Sequence, residues 1–289
     1  MKKTGILTDS HSGITQEEAK KLGIYVLPMP FYINDQCYYE GKDISREEFI
    51  ESLKNDENVS TSQPSPEAVM NLWDEILKEY EELVYIPISS GLSGSCSTAM
   101  AMAQEDDYEG KVFVVDNGRV STPMKQSVLD AIELLNEGCS AKEIKNRLED
   151  AKGKMGIFVV VDDLKYLKKG GRISSSVALV GGMLKVKPIL KFDIGTLDSL
   201  KNCRGLHKAK EAMIEEVKRI VTADYAEDFE KGNVHILAAS SADEEETKKW
   251  VNEIQEAFPG IKVLWDYLPM GITCHIGPGG LGIGYSVRP

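Results

Sequence analysis

Three polar segments of this 289-residue sequence carry residue types suited to holding an anion: Thr8-Asp9-Ser10, Thr61-Ser62-Gln63-Pro64-Ser65-Pro66 and Ser89-Ser90-Gly91-Leu92-Ser93-Gly94-Ser95. Hydroxyls beside glycines at a strand end offer short neutral donors, and the backbone N–H groups of a following helix start favour a carboxylate or phosphate. Ser and Thr are also ordinary helix N-caps. Three such clusters in one half of a chain, one with glycines interleaved, favour a site. Gly91-Leu92-Ser93-Gly94-Ser95 misses the nucleophile-elbow pattern G-x-S-x-G by its last residue. A serine hydrolase acting on a lipid-like ester, with Ser93 as nucleophile, Asp162 or Asp163 orienting and His275 as base, is the alternative this near-match raises, although no spacing links those residues.

Other segments argue against familiar chemistries. Gly277-Pro278-Gly279-Gly280-Leu281-Gly282 spells G-x-G-x-x-G, but only seven residues follow it, too few for the helix and distal acid of a dinucleotide site. Glycines at that density let the backbone approach a ligand or another strand closely. Asp162-Asp163 lacks a His or Glu at ligand spacing, and the five cysteines form no CxxC pair, so no metal is expected. His11, His207 and His235 show no pattern. Lys165, Lys168, Lys169 and Arg172 crowd around Gly170-Gly171, with Arg204, Lys208 and Lys210 further on. Such a cluster is either a solvated face or a docking patch for an acidic or phosphate-bearing partner.

The elements that must position these residues alternate between short β-branched runs and amphipathic stretches, as in βαβ units around a mostly parallel sheet. Strands are expected near Thr4 to Thr8, Leu83 to Ile88 and Lys111 to Val115, and helices near Thr15 to Leu22, Ser97 to Gln104 and Val128 to Glu137. Tyr25 to Glu40 reads as a hairpin-like excursion turning at Asn34-Asp35. Ser45 and Ser65-Pro66-Glu67 signal two further helix starts. Beyond the helix Ala141 to Ala151 and the glycines at 153 and 156, the strand Ile157 to Val161 opens a second series, with an apolar stretch Val177 to Leu184, strands near Pro188 to Phe192, Thr196 to Leu200, Val234 to Ala239 and Lys262 to Tyr267, helices Leu206 to Val221 and Asp243 to Phe258, and a Gly-rich tail. The expected fold class is therefore α/β in two domains: residues 1–153 around a mostly parallel, Rossmann-like sheet with an extended insertion at about 25–45, and residues 154–289 around a smaller mixed sheet.

Composition narrows the function classes. With 34 Lys and Arg against 46 Asp and Glu, the formal charge is -12, which disfavours a broad nucleic-acid surface. The longest uncharged stretch, Leu83 to Gln104, is broken by Pro87 and crowded with Ser and Gly, so no transmembrane segment is expected. The N-terminus meets Asp9 before any apolar leader forms, and scattered cysteines suit reducing conditions, so a cytoplasmic location is expected.

Taken in order, Thr8-Asp9-Ser10, the Thr61 to Pro66 and Ser89 to Gly94 segments, Asp163 through Ile173, Lys187-Pro188-Ile189-Leu190, Arg204-Gly205, and His275 with Gly277-Pro278-Gly279 resemble the DegV family of fatty-acid-binding proteins over essentially the whole chain. The resemblance implies a two-domain α/β protein that holds one long-chain fatty acid, its carboxylate in the first domain and its tail in an apolar tunnel reaching the second. It implies no catalysis by the chain alone and no cofactor. The expected role is an acyl-carrying subunit, presenting the carboxylate to a separate fatty acid kinase that uses ATP to make acyl phosphate. Carried over residue by residue, Thr61 and Ser93 supply hydroxyls to the carboxylate, Ser62 and Gly94 supply backbone N–H groups, and His275 completes the network. Arg172 and Arg204 take the kinase-facing positions. The sequence departs from the family pattern at His11-Ser12-Gly13, at Ser121-Thr122-Pro123-Met124-Lys125 where Ser-x-Gly is usual, and at Ile276 where Thr is common.

Overall fold

A computed structural model describes residues 2–174, 186–193 and 196–289. The expected apolar stretch Val177 to Leu184 lies outside them. Strands and helices are numbered here in chain order among the described residues. The chain divides into two compact units, one of Met1–Ser45, Asn58–Gly153 and Pro289, the other of Arg46–Glu57 and Lys154–Arg288. Helix α2 (Arg46–Lys54) thus groups with the second unit although the sequence on both sides of it belongs to the first.

In the first unit, four parallel strands in the order β2-β1-β6-β7 form the main sheet. They are β1 (Lys2–Asp9), β2 (Tyr25–Leu27), β6 (Tyr80–Ile86) and β7 (Val112–Val114). Parallel strands buried on both faces read as continuous apolar runs, and Leu83, Val84, Tyr85 and Ile86 are all essentially without exposure. Helices α1 (Gln16–Leu22), α3 (Pro66–Leu77), α4 (Gly94–Met102), α5 (Ser121–Asn136) and α6 (Ala141–Asp150) cover them. Thr15 and Ser65 cap α1 and α3, accepting from Glu18 N at 3.1 Å and Ala68 N at 3.2 Å. The excursion forms a hairpin of β3 (Pro30–Ile33) and β4 (Gln36–Tyr39), joined by β5 (Val59–Thr61) in a separate antiparallel sheet. Its turn falls on Asn34 and Asp35, both left-handed at φ 49° and 66°, the pairing a two-residue hairpin turn requires.

The second unit is built on a six-stranded mixed sheet in the order β10-β9-β8-β13-β11-β12. Its strands are β8 (Met155–Val160), β9 (Val186–Asp193), β10 (Thr196–Arg204), β11 (Val234–Ser240), β12 (Leu264–Tyr267) and β13 (Leu281–Val287), and only β11 and β12 pair in parallel. The sequence leads one to expect the smaller sheet here, yet it is the wider of the two main sheets. One of its strands, β13, was concealed by the Gly-rich tail: glycine weakens the strand signal, but Gly282 and Gly284 sit in a fully buried central strand flanked by β8 and β11. Helices α7 (Lys165–Gly170), α8 (Leu206–Ala223), α9 (Ala226–Glu230), α10 (Glu244–Ala257) and α11 (Met270–Ile276) complete the unit.

Lys210, grouped by sequence with a basic surface, is instead buried where α8 meets α10. Its ammonium donates to Glu253 at 2.7 Å and Glu246 at 2.9 Å and lies 5.6 Å from the centre of the Trp250 ring. Burial works against the charged ammonium, and its hydrogen bonds to both glutamates outweigh it, so its pKa is raised. A raised pKa makes the contribution fully present below the ordinary value near 10.5 and lost only as pH climbs through the higher folded value. Lys210→Ala, which strands two carboxylates beside Trp250, is expected to cost about 1–3 kcal/mol in urea unfolding at pH 7. A loss below about 0.5 kcal/mol would mean that Glu246 and Glu253 are solvated without it.

Candidate functional site

The carboxyl ends of β1, β6 and β7 are tied together by polar side chains. Asp9 is completely buried, and its carboxylate accepts from His11 N at 2.9 Å and Ile88 N at 2.8 Å, joining the turn after β1 to the chain beyond β6. The departure at His11 thus forms a short 3-10 turn, Ser10–Ser12, closed by left-handed Gly13. Ser10 Oγ accepts from Met29 N at 3.0 Å. Beyond β6 the chain tightens on itself, with Leu92 N and Ser93 N both donating to Ser89 O. Ser89 N donates in turn to Arg119 O at 2.9 Å, and Ser90 Oγ donates to Asp116 Oδ2 at 2.6 Å.

Ser93 ends this turn in extended conformation as the N-cap of α4. Its Oγ accepts from Ser95 N at 3.3 Å and from Ser95 Oγ at 3.0 Å. Thr61 ends β5, paired opposite Phe31, and Ser62 follows on the exposed side. Gln63 brings the two clusters together. Its Oε1 accepts from Thr98 Oγ1 at 3.4 Å on α4 and lies 3.2 Å from where a Cβ on Gly94 would stand. The Thr61-Ser62-Gln63 segment therefore meets the start of α4, placing hydroxyls, an amide and a helix N-terminus in one neighbourhood. These neutral donors suit a carboxylate whose charge is to be held without being cancelled by a cation.

His275 lies on α11 in the second unit, and Gly170 at the end of α7 packs so closely against its imidazole that a methyl there would overlap the ring. Arg172 Nη1 donates to the carbonyl of that same Gly170, so His275 and Arg172 meet on one residue. Arg172 O accepts from Leu197 N at 3.2 Å near the start of β10, whereas Arg204 is exposed at its far end, seven residues and roughly 23 Å along the strand. The two arginines are spread along β10. Of the neighbouring lysines, Lys165 pairs with Asp56 and Lys187 with Asp162, while Lys168 and Lys208 are exposed. Asp163 accepts from Lys165 N at 2.8 Å at the start of α7. Both acids named for a hydrolase thus have other work. The close glycine approach expected of the tail is present: side chains on Gly277 and Gly279 would fall on Tyr166 and Asp162.

Gln63, to which the sequence segment gave no role of its own, and Asp116 and Arg119, which it did not single out, organise the first unit. Asp116 stands two residues past the end of β7, a position from which a strand-end ligand or brace is drawn, and that was the available signal. Lys125, at the second departure, neither faces solvent nor stands alone; it is buried and reaches both carboxylate oxygens of Glu18 at 2.8 and 2.9 Å. Among the described residues no cluster of His, Cys, Asp and Glu suits a metal, and no helix is long and apolar enough to cross a membrane.

This architecture has close counterparts. A solved DegV family protein from Thermus thermophilus, reported for its fatty acid binding, superposes with a TM-score of 0.85 at 29% identity, covering 99% of each chain. DegV from Bacillus subtilis, described as a fatty acid binding protein, superposes with a TM-score of 0.83 at 28% identity over 100% of both chains. A DegV domain-containing protein of Staphylococcus aureus is 32% identical over 283 residues, 98% of each chain. The family model described as "Uncharacterised protein, DegV family" matches residues 3–288. The chain belongs to the DegV family.

Asp116 gives a test of the bracing described above. Partial burial pushes its pKa up, but the Lys152 ammonium at 2.8 Å and the two bonds from Ser90 outweigh this and hold it below the ordinary value of 3.8. A depressed pKa contributes stability above that ordinary value and loses it as pH falls through the folded value. Asp116→Asn is expected to lower stability by about 1 kcal/mol between pH 5 and 8, with the gap to wild type closing only below about pH 4. A gap independent of pH down to pH 2.5 in urea titrations would show that the charge on Asp116 is not what braces the loop.

Proposed function

We propose that this chain binds one long-chain fatty acid, and that Thr61, Ser62, Ser93 and Gly94 hold its carboxylate. The reading is supported chiefly by the two solved relatives that bind fatty acids, both alike to this chain over its full length. The meeting of the Thr61 segment with the start of α4 through Gln63 supports the residue assignment. A partly buried carboxylate is costly unless several donors reach its oxygens. Two hydroxyls and backbone N–H groups at a helix start meet that need while keeping an oxygen nucleophilic. A buried tail of about 14 methylenes at about 0.8 kcal/mol each supplies at most roughly 11 kcal/mol of holding energy, enough for the lipid to survive purification.

In the same reading the chain is not itself an enzyme. It presents the carboxylate to a fatty acid kinase: a carboxylate oxygen attacks the terminal phosphorus of ATP, the bond to the leaving oxygen breaks, and acyl phosphate and ADP result. An ionised carboxylate needs no general base for this step, so positioning carries the chemistry. Arg172 and Arg204 are the proposed partner-facing cations, and their separation along β10 suits an extended docking face. Lys165, Lys187 and Lys210 are held by acidic partners and fall outside the proposal.

Denaturing extraction with mass spectrometry of the purified chain is expected to yield one fatty acid per chain. Thr61→Ala with Ser93→Ala removes two hydrogen bonds to a charged group, each worth about 1.5–3 kcal/mol, and should weaken binding at least about 100-fold. Unchanged affinity for added fatty acid would remove these residues from the site. Arg172→Glu should leave lipid binding intact and abolish ATP-dependent acyl phosphate formation with a cognate kinase. Full phosphorylation by that kinase would exclude Arg172 from docking.

A further inference from the structure

The start of α5 gathers polar atoms that are buried and bonded to nothing in the chain. Arg119 is completely buried. Its Nη1 donates to Ser127 Oγ at 2.9 Å and lies 3.8 Å from Asp130 Oδ2, while Nε and Nη2 have no hydrogen-bond partner. Ser127 Oγ donates to Pro123 O at 3.2 Å and also accepts from Asn117 Nδ2 at 2.7 Å, which leaves Asn117 Oδ1 as a second buried, unbonded atom. Two residues after Arg119, Ser121 opens α5 at φ 56°, a left-handed conformation that a non-glycine residue rarely adopts. Its Oγ is buried and unbonded too. The N-cap is Val120, whose side chain has nothing with which to cap the first turn of a 16-residue helix.

These features complement one another. Nε and Nη2 form the side edge of the guanidinium, which presents two parallel N–H groups matched to the two oxygens of a carboxylate. An uncapped, buried helix start adds N–H groups and partial positive charge, and Ser121 adds a hydroxyl. Burial pulls the Arg119 guanidinium below its ordinary range and Asp130 only partly opposes this, so a second anion on the open edge favours the charged form. We propose that Arg119, Ser121 and the first turn of α5 form a buried carboxylate-binding subsite, separate from the Thr61 and Ser93 cluster. The acceptor oxygens of Asn117 and Asp130 nearby suit a monoanion better than a phosphate dianion. The carboxylate belongs either to a small organic acid or to the far end of a lipid that carries a second acid group.

Sodium formate is the probe, with sodium fluoride at equal ionic strength as the reference salt. Formate should raise the Tm of the full chain by about 3 °C or more. That increment should vanish in Arg119→Met, survive in part in Arg119→Lys, and be retained in the Thr61→Ala/Ser93→Ala double variant, which separates this subsite from the fatty-acid reading. Crystals grown from formate should show a planar anion on Nε and Nη2. If a tightly held acid blocks formate, denaturing extraction should release one equivalent from wild type that Arg119→Met lacks, and its mass tells a small acid from a lipid diacid. An equal formate shift in Arg119→Met overturns the proposal. So does ordered water alone at Nε and Nη2 with no extractable acid lost, and this holds even if Arg119→Met fails to fold.

Discussion

A carboxylate with no exposure to water is the constraint on which the first unit depends. Asp9 has both oxygens committed to backbone N–H groups, one in its own turn and one on the chain leaving β6. Freeing either would leave a buried charge unsatisfied, at a cost of several kcal/mol, so the ends of β1 and β6 are locked to each other. The lock extends sideways through the Ser89 to Arg119 backbone bond and the Ser90 to Asp116 pair, which bring in the end of β7. Ligands of open parallel sheets gather beyond the carboxyl ends of strands. Here that edge is cross-braced by these bonds, and Ser93 and the start of α4 take their position from it.

Within each unit, several lysines are committed to acidic partners. In the first unit Lys125 is given to Glu18, Lys145 to Glu149 and Lys152 to Asp116. In the second, Lys187 is given to Asp162, Lys210 to Glu246 and Glu253. A cation beside the Thr61 and Ser93 hydroxyls would bind a carboxylate more strongly, and would also draw electron density from its oxygen in the proposed transfer to phosphorus. Neutral donors at a helix N-terminus would hold the proposed carboxylate without that penalty, so the hydroxyl composition of these segments and the proposed presentation to a kinase belong to one argument.

Much of this was legible in the sequence, for identifiable reasons. Strands buried on both faces gave unbroken apolar runs such as Leu83 to Ile86, and caps such as Thr15 and Ser65 marked helix starts that the structure keeps. Asn34-Asp35 announced its turn through residues that tolerate left-handed backbone. What stayed hidden depended on long-range packing. The central strand β13 was masked by glycines whose value lies in their neighbours. Helix α2 groups with residues far along the chain, where Arg46 donates to Ala242 O at 2.7 Å and stacks 3.9 Å from the Tyr267 ring centre. Lys210 looked like surface charge because nothing local reveals two glutamates 36 and 43 residues away. Gln63 stands inside one of the hydroxyl segments, but nothing local reveals that its side chain reaches Thr98 on α4.

The departure from the family pattern at Ser121 to Lys125 gains a physical meaning from the same accounting of charge. A stretch that places Lys125 and Arg119 in the interior must neutralise both, because a lone buried cation is far costlier than any local strain. Lys125 meets the requirement through Glu18. Arg119 does so only at Nη1, 3.8 Å from Asp130, while its Nε and Nη2 have no hydrogen-bond partner. Strain and unmet hydrogen bonds persist where the surrounding structure enforces them for a purpose. An interior that merely needed filling would be served at lower cost by an apolar residue of similar size, so a guanidinium buried with an unbonded edge argues for a partner that it can hold.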